Sequence, residues 1–184
     1  MYNEIQQMNK IDIAFNMTNQ AVKMFFHKDD PISTHVVICA ANEILSTIIK
    51  KKGLQTALGP NSSLIKPAKK KDIIKIRRAK YNFFKHADND DLACINFDPN
   101  TNWFFIFENV NFLNTLKQEL TKEMLFFNIW TFLYFPNILT LPEEVYEELE
   151  KIGLSAKEAF ELFDDIVKSD KWDLTIFKSL YPCI

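Results

Sequence analysis

The chain has 184 residues, 47% of them hydrophobic and 14% aromatic, with seventeen phenylalanines and a net charge of −2. That much apolar material builds a real core and excludes a disordered polar chain. Three glycines are too few for a turn-rich all-β fold or a glycine-rich phosphate loop, so the expectation is an all-α or mainly α domain.

Residues 3–27 read as a first helix, with Ile5, Met8, Ile11 (with Ile13), Phe15, Ala21 or Val22, and Phe25 or Phe26 recurring mostly at steps of three and four. Asp30 is a natural N-cap and Pro31 suits the first turn of a second helix. Lys50-Lys51-Lys52 complements that helix's C-terminal dipole and Gly53 closes it.

Residues 54–66 connect to a third helix, expected from Pro67 to about His86. Tyr81, Phe83, Phe84 and some of Ile73, Ile74 and Ile76 would face the core, with the lysines in water. Asp88 to Asp91 is a turn. Leu92–Phe97 and Trp103–Phe107 are apolar, aromatic and in part β-branched, on either side of the turn cluster Asp98-Pro99-Asn100-Thr101-Asn102. A small β-hairpin near 92–107 fits, with irregular chain packed by its aromatics as the alternative.

Further helices are expected at 109–120 and 121–135. The uncharged run Met124–Leu141 is interrupted by Asn128, Thr131, Pro136 and Asn137, so it reads as a buried helix and not a membrane span. Pro142 opens a short acidic helix that closes at Gly153. Ser155 and Glu158 form a capping box for a helix running to about Ser169, followed by a short terminal segment at 172–180. With no internal repeat and no low-complexity linker, the simplest architecture is one domain over 1–184, a bundle of six to seven helices with the one hairpin.

Charge is segregated. Between Lys50 and His86 there are twelve Lys and Arg against the single acid Asp72, while the remainder is strongly acidic. Such a basic stretch steers an anionic partner, or is neutralised within the fold or across a dimer. Cys39, Cys94 and Cys183 are widely spaced with no CxxC pair, and the start MYNEIQQMNK has no apolar signal core. A cytoplasmic location, no metal and no cofactor are the expectations.

The third helix holds the chain's only arginines, Arg77 and Arg78. Arg78, Asn82 and His86 step by four along one face. An Arg can hold a phosphate by two bonds and a His can pass a proton near neutral pH, as RNA cleavage requires. These three are the candidate catalytic residues, with Glu43 of the second helix as an orienting partner. Lys69, Lys70, Lys71, Lys75, Arg77 and Lys85 are the candidate binding residues. The alternative for Arg and His is a buried ion pair and a core hydrogen bond. His35-x3-Cys39-x3-Glu43 lacks a second supplier of ligands for a metal.

The segments Asp30-Pro31-Ile32-Ser33, Ala40-Ala41-Asn42-Glu43-Ile44-Leu45 and Asn82-Phe83-Phe84-Lys85-His86-Ala87-Asp88 together resemble an uncharacterised bacterial family with a recurring NFFKHAD signature, over roughly residues 15–110. More loosely, an Arg-polar-His helix in a small bundle resembles HEPN domains. Their motif has four to six residues between Arg and His, where Arg78 and His86 have seven between them. That resemblance implies an all-α, often dimeric fold and metal-independent ribonuclease activity. Two functions therefore stand side by side. One is a non-enzymatic interaction module whose basic face meets an acidic protein or a second copy of the chain. The other is a HEPN-like ribonuclease or RNA-binding protein.

Overall fold

The computed structural model describes residues 5, 7–56, 67–86, 92–136 and 143–169; at 67–70, 72–74, 76, 78, 144, 145 and 148 it describes the backbone alone. Asn9 starts the first helix, α1 (Lys10–Phe26). Its Oδ1 accepts from the amides of Ile11 and Asp12 at 2.8 and 3.0 Å, and Asp12 accepts from the Asn9 amide at 3.2 Å. This reciprocal box satisfies amides that have no partner inside the helix. Asp30 does the same for α2 (Pro31–Lys51), accepting from the Ser33 amide at 2.7 Å. Gly53 follows with φ +64°, the left-handed turn that ends a helix without a Cβ clash.

α3 (Pro67–Lys85) crosses over to α4 (Thr101–Thr115), which forms a hairpin with α5 (Lys122–Tyr134). Three short helices follow: α6 (Glu143–Ile152), α7 (Ala156–Glu161) and α8 (Phe163–Lys168). The expected capping box of Ser155 and Glu158 is present at α7. The helix expected over 155–169 is split at Leu162.

The structure corrects the hairpin. No strand occurs among the described residues, 93–98 is irregular, and Trp103–Phe107 lies inside α4. Aromatic β-propensity reflects a half-buried pleated surface. Here the segment is buried nearly all round, with every residue from Phe105 to Val110 inside, so a central helix satisfies its backbone better. The Asp98 turn serves as the start of that helix: Asp98 Oδ1 accepts from the Asn100 amide at 3.0 Å and the Asp98 carbonyl accepts from Thr101 Oγ1 at 2.8 Å.

Two helical hairpins, α1–α2 and α4–α5, make the bundle. α2 and α4 run parallel, with His35 against Asn102 and Asn42 against Asn109. α1 and α5 also run parallel, with Lys23 paired to Glu123 at 3.0 Å and Phe25 against Phe127 and Trp130. The crossover containing α3 is what allows parallel neighbours. One continuous apolar cluster draws on α1, α2, α4 and α5 and extends to Leu149, Ala159, Phe163 and Ile166 of the short helices. α5 is buried from Met124 to Phe132, as a core helix. By length and composition α2 alone among the described residues is long and apolar enough to cross a membrane; 44% of that apolar window is buried in the fold. The segment expected at 172–180 lies outside the described residues.

Candidate functional site

The parallel pair α2–α4 encloses a line of polar side chains. His35 and Asn42 are seven residues apart on α2, and Asn102 and Asn109 are seven apart on α4. Seven residues are two turns, about 10.5 Å along the axis, so each pair shares a face. The two faces meet in two rungs. His35 Nδ1 lies 2.8 Å from Asn102 Oδ1, and Asn42 Nδ2 donates to Asn109 Oδ1 at 2.7 Å.

The upper rung has a defined proton pattern. Asn102 Nδ2 donates to the Pro31 carbonyl at 2.9 Å, which fixes the amide so that its Oδ1 must accept. His35 Nδ1 therefore carries the proton, and Nε2 accepts from the Cys39 thiol at 3.4 Å. Burial lowers the His35 pKa; the Asn102 bond opposes this and the Lys80 charge adds to it. Burial pushes the Cys39 thiol up to about 12. The pair is thus a neutral imidazole and a neutral thiol. It lacks the thiolate that a nucleophilic cysteine requires.

The lower rung carries a charge. Asn42 Nδ2 also donates to Glu108 Oε2 at 2.5 Å, and Asn109 Nδ2 donates to the Ile38 carbonyl at 3.1 Å and reaches Thr18 Oγ1 at 3.5 Å. Glu108 is fully buried and is met by the Arg77 guanidinium of α3. Arg77 packs over the rings of Phe104 and Phe105, at 5.2 and 4.7 Å from their centroids. Burial raises the Glu108 pKa, and Arg77 and the Asn42 amide pull against it. Its second oxygen, Oε1, has no hydrogen-bond partner among the described residues.

The sequence-derived candidates divide between two sides of α3. Lys71, Lys75, Asn82, Lys85 and His86 are exposed. Positions 71, 75, 79, 82 and 86 step by four, four, three and four, which is one helical stripe about 22 Å long. Arg77 does not join it, because its guanidinium turns inward to Glu108. The side chains of Arg78, Lys69 and Lys70 lie outside the described residues. Glu43 does reach α3, with Oε2 at 4.0 Å from Lys85 Nζ. Lys85 Nζ also sits 3.9 Å over the Tyr81 ring. The structure therefore brings Glu43 to the end of α3 but leaves Asn82 and His86 facing outward.

Asn102, Glu108 and Asn109 were not expected in the core: Asn102 falls in the turn cluster, and Glu108 and Asn109 fall where the helix expected at 109–120 begins. The matched spacing of seven on both helices was the available signal. No group of three or more His, Cys, Asp or Glu able to hold a metal occurs among the described residues. No known protein family, curated protein or solved structure matches the chain.

Proposed function

We propose that the protein is a non-enzymatic interaction module that binds an acidic protein surface through the outward face of α3. The carrying observation is that Lys71, Lys75, Asn82 and His86 are all exposed along one side of α3, with Lys85, which also meets Glu43, at its end. A second copy of the chain offers a complement. Glu143, Glu147 and Glu150 are exposed on α6 at steps of four and three, again one stripe. The chemistry inside the bundle points away from catalysis: the His35–Cys39 pair is neutral, and the Glu108 carboxylate is committed to Arg77 and Asn42.

Sedimentation equilibrium at low and high ionic strength tests the reading. Self-association should weaken with salt, as surface charge pairing does. Lys71→Glu/Lys75→Glu and Glu147→Lys/Glu150→Lys should each abolish it, and mixing the two variants should restore a heterodimer. A strictly monomeric wild type at high concentration and low salt removes the second copy as partner.

The same stripe supports a second reading, because Asn82 and His86 end it with an amide and an imidazole in reach of solvent. A titration with short single-stranded RNA separates the two. Salt-sensitive RNA binding, with cleavage lost in His86→Ala, would make the protein a HEPN-like ribonuclease. Absence of RNA binding leaves the protein-binding reading in place.

A further inference from the structure

A cleft of about 390 Å³ opens on the inner side of α3, where it faces the first turn of α4. Its lining includes Arg77, Lys80, Asp98, Asn100, Thr101, Trp103 and Phe104. The volume falls in the range of small-molecule sites. It is distinct from the outward lysine stripe, so it stands or falls independently of the protein-binding reading.

Three features define what fits. The first is positive charge, from Lys80 and Arg77. Lys80 makes no ion pair among the described residues and lies with Nζ 5.5 Å over the Phe97 ring. Arg77 has five N–H donors, and the described bond to Glu108 engages one nitrogen, so the fork retains donors for a second acceptor. The second feature is aromatic surface held in place. Trp103 is buttressed by Phe135 at 4.2 Å and by Phe104 at 5.8 Å, so its indole does not have to be ordered when a ring binds. The third is a pair of small polar residues in the lining, Thr101 and Asn100, whose side chains are held by hydrogen bonds to Asp98 at 2.8 and 3.0 Å. Asp98 opposes an anion, but its Oδ1 is occupied by the Asn100 amide and side-chain N–H groups, both at 3.0 Å.

We propose that this cleft binds a nucleoside monophosphate, with the phosphate on Lys80 and Arg77 and the base against Trp103. A free phosphate would leave the aromatic wall unused and a free nucleoside would leave Lys80 unpaired, so the joined ligand is the one the lining favours. Arg77 keeps Glu108 while it meets the phosphate, so binding requires no opening of the core.

Isothermal titration of the full chain with adenosine monophosphate, adenosine and inorganic phosphate tests this. The monophosphate should bind at least about tenfold tighter than either fragment, a gap of about 1.4 kcal/mol. Lys80→Gln should weaken the monophosphate about tenfold and leave adenosine unchanged, whereas Trp103→Leu should weaken both. Asp98→Asn should tighten the monophosphate. A thermal melt of each variant confirms that the fold is kept. The proposal is overturned if the monophosphate does not bind at millimolar concentration or if Lys80→Gln binds it as wild type does. It is equally overturned if Lys75→Gln weakens binding as much as Lys80→Gln, because the phosphate would then sit on the outward stripe.

Discussion

The Asn42 side-chain amide donates to Glu108 Oε2 at 2.5 Å and to Asn109 Oδ1 at 2.7 Å, so one buried residue of α2 ties two neighbouring positions of α4. Asn42→Ala removes both bonds and leaves two buried acceptors short of a donor. Each such loss costs about 1–3 kcal/mol, so the variant should lose several kcal/mol in urea denaturation. Asn42→Asp is the sharper test, because a second carboxylate beside Glu108 should cost more than alanine does. An aspartate variant as stable as wild type would remove the donor role from Asn42.

Arg77 and Glu108 form the ion pair that joins the crossover helix to the core. Arg77→Met leaves the buried Glu108 carboxylate without its cation, at a cost of about 3–5 kcal/mol. Arg77→Met/Glu108→Gln should recover most of the loss, because the glutamine still accepts from Asn42. Burial already raises the Glu108 pKa. In Arg77→Met the folded state therefore holds a proton that the unfolded state releases, and the deficit should grow as pH rises above the ordinary glutamate value of about 4.3. Equal stability of the single and double variants, measured as urea midpoints at neutral pH, would refute the pairing energy.

Local rules made α2 legible in the sequence. Asp30, Pro31, the three lysines and Gly53 each act within one turn of a helix end, and all of them agree with the observed bounds Pro31–Lys51. The outward lysines of α3 were legible for the same reason, since charge repeats along one helix face. Long-range burial was not. Trp103–Phe107 has the composition of a strand, and only its place among α2, α3 and α5 makes it a helix. Arg77 and Arg78 are adjacent and chemically equal in the sequence. That Arg77 meets Glu108 is decided by how α3 sits against α4, which no local pattern encodes.

His35 gives the fold a pH dependence of opposite sign to that of Glu108. Its pKa is lowered by burial, so below about 6.5 the unfolded chain binds a proton that the folded protein resists. Stability from this residue is full above that value and is lost as pH falls through it. His35→Gln should flatten the profile of urea midpoints between neutral and mildly acidic pH, although it lowers stability overall. Asn102→Ala should steepen it, because the bond that partly supports the proton is gone. Parallel profiles for wild type and His35→Gln would assign the acid sensitivity elsewhere.

Cys39 and Cys94 should respond differently to a thiol reagent. Cys39 is buried with its thiol pushed up to about 12, while Cys94 is exposed. Reaction requires the thiolate and access to it, so Cys39 is protected twice. In a Cys183→Ser background, a disulfide reagent at neutral pH should label one equivalent rapidly, and Cys94→Ser should remove that phase. Cys39 should react only at the rate of global unfolding, rising steeply with urea. Rapid labelling of Cys39 in the folded protein would mean that the α2–α4 interface opens on its own.

The short helices at the end of the described chain are held by stacking. Phe26 and Phe163 lie with centroids 4.2 Å apart and planes 11° apart, inside a cluster with Phe126, Phe160 and Trp130. Next to it, His27 Nε2 meets Asp164 Oδ1 at 3.1 Å, but both side chains are about half exposed. Desolvated ring contact outweighs an ion pair open to water, since exposed pairs are worth about 0–1 kcal/mol and loss of a buried phenylalanine about 3–5 kcal/mol. Phe163→Ala should therefore expose the amides of α8 to fast hydrogen exchange and lower the urea midpoint, whereas Asp164→Ala should barely change either. If Asp164→Ala releases α8 as fully as Phe163→Ala does, the surface pair and not the stacked rings anchors it.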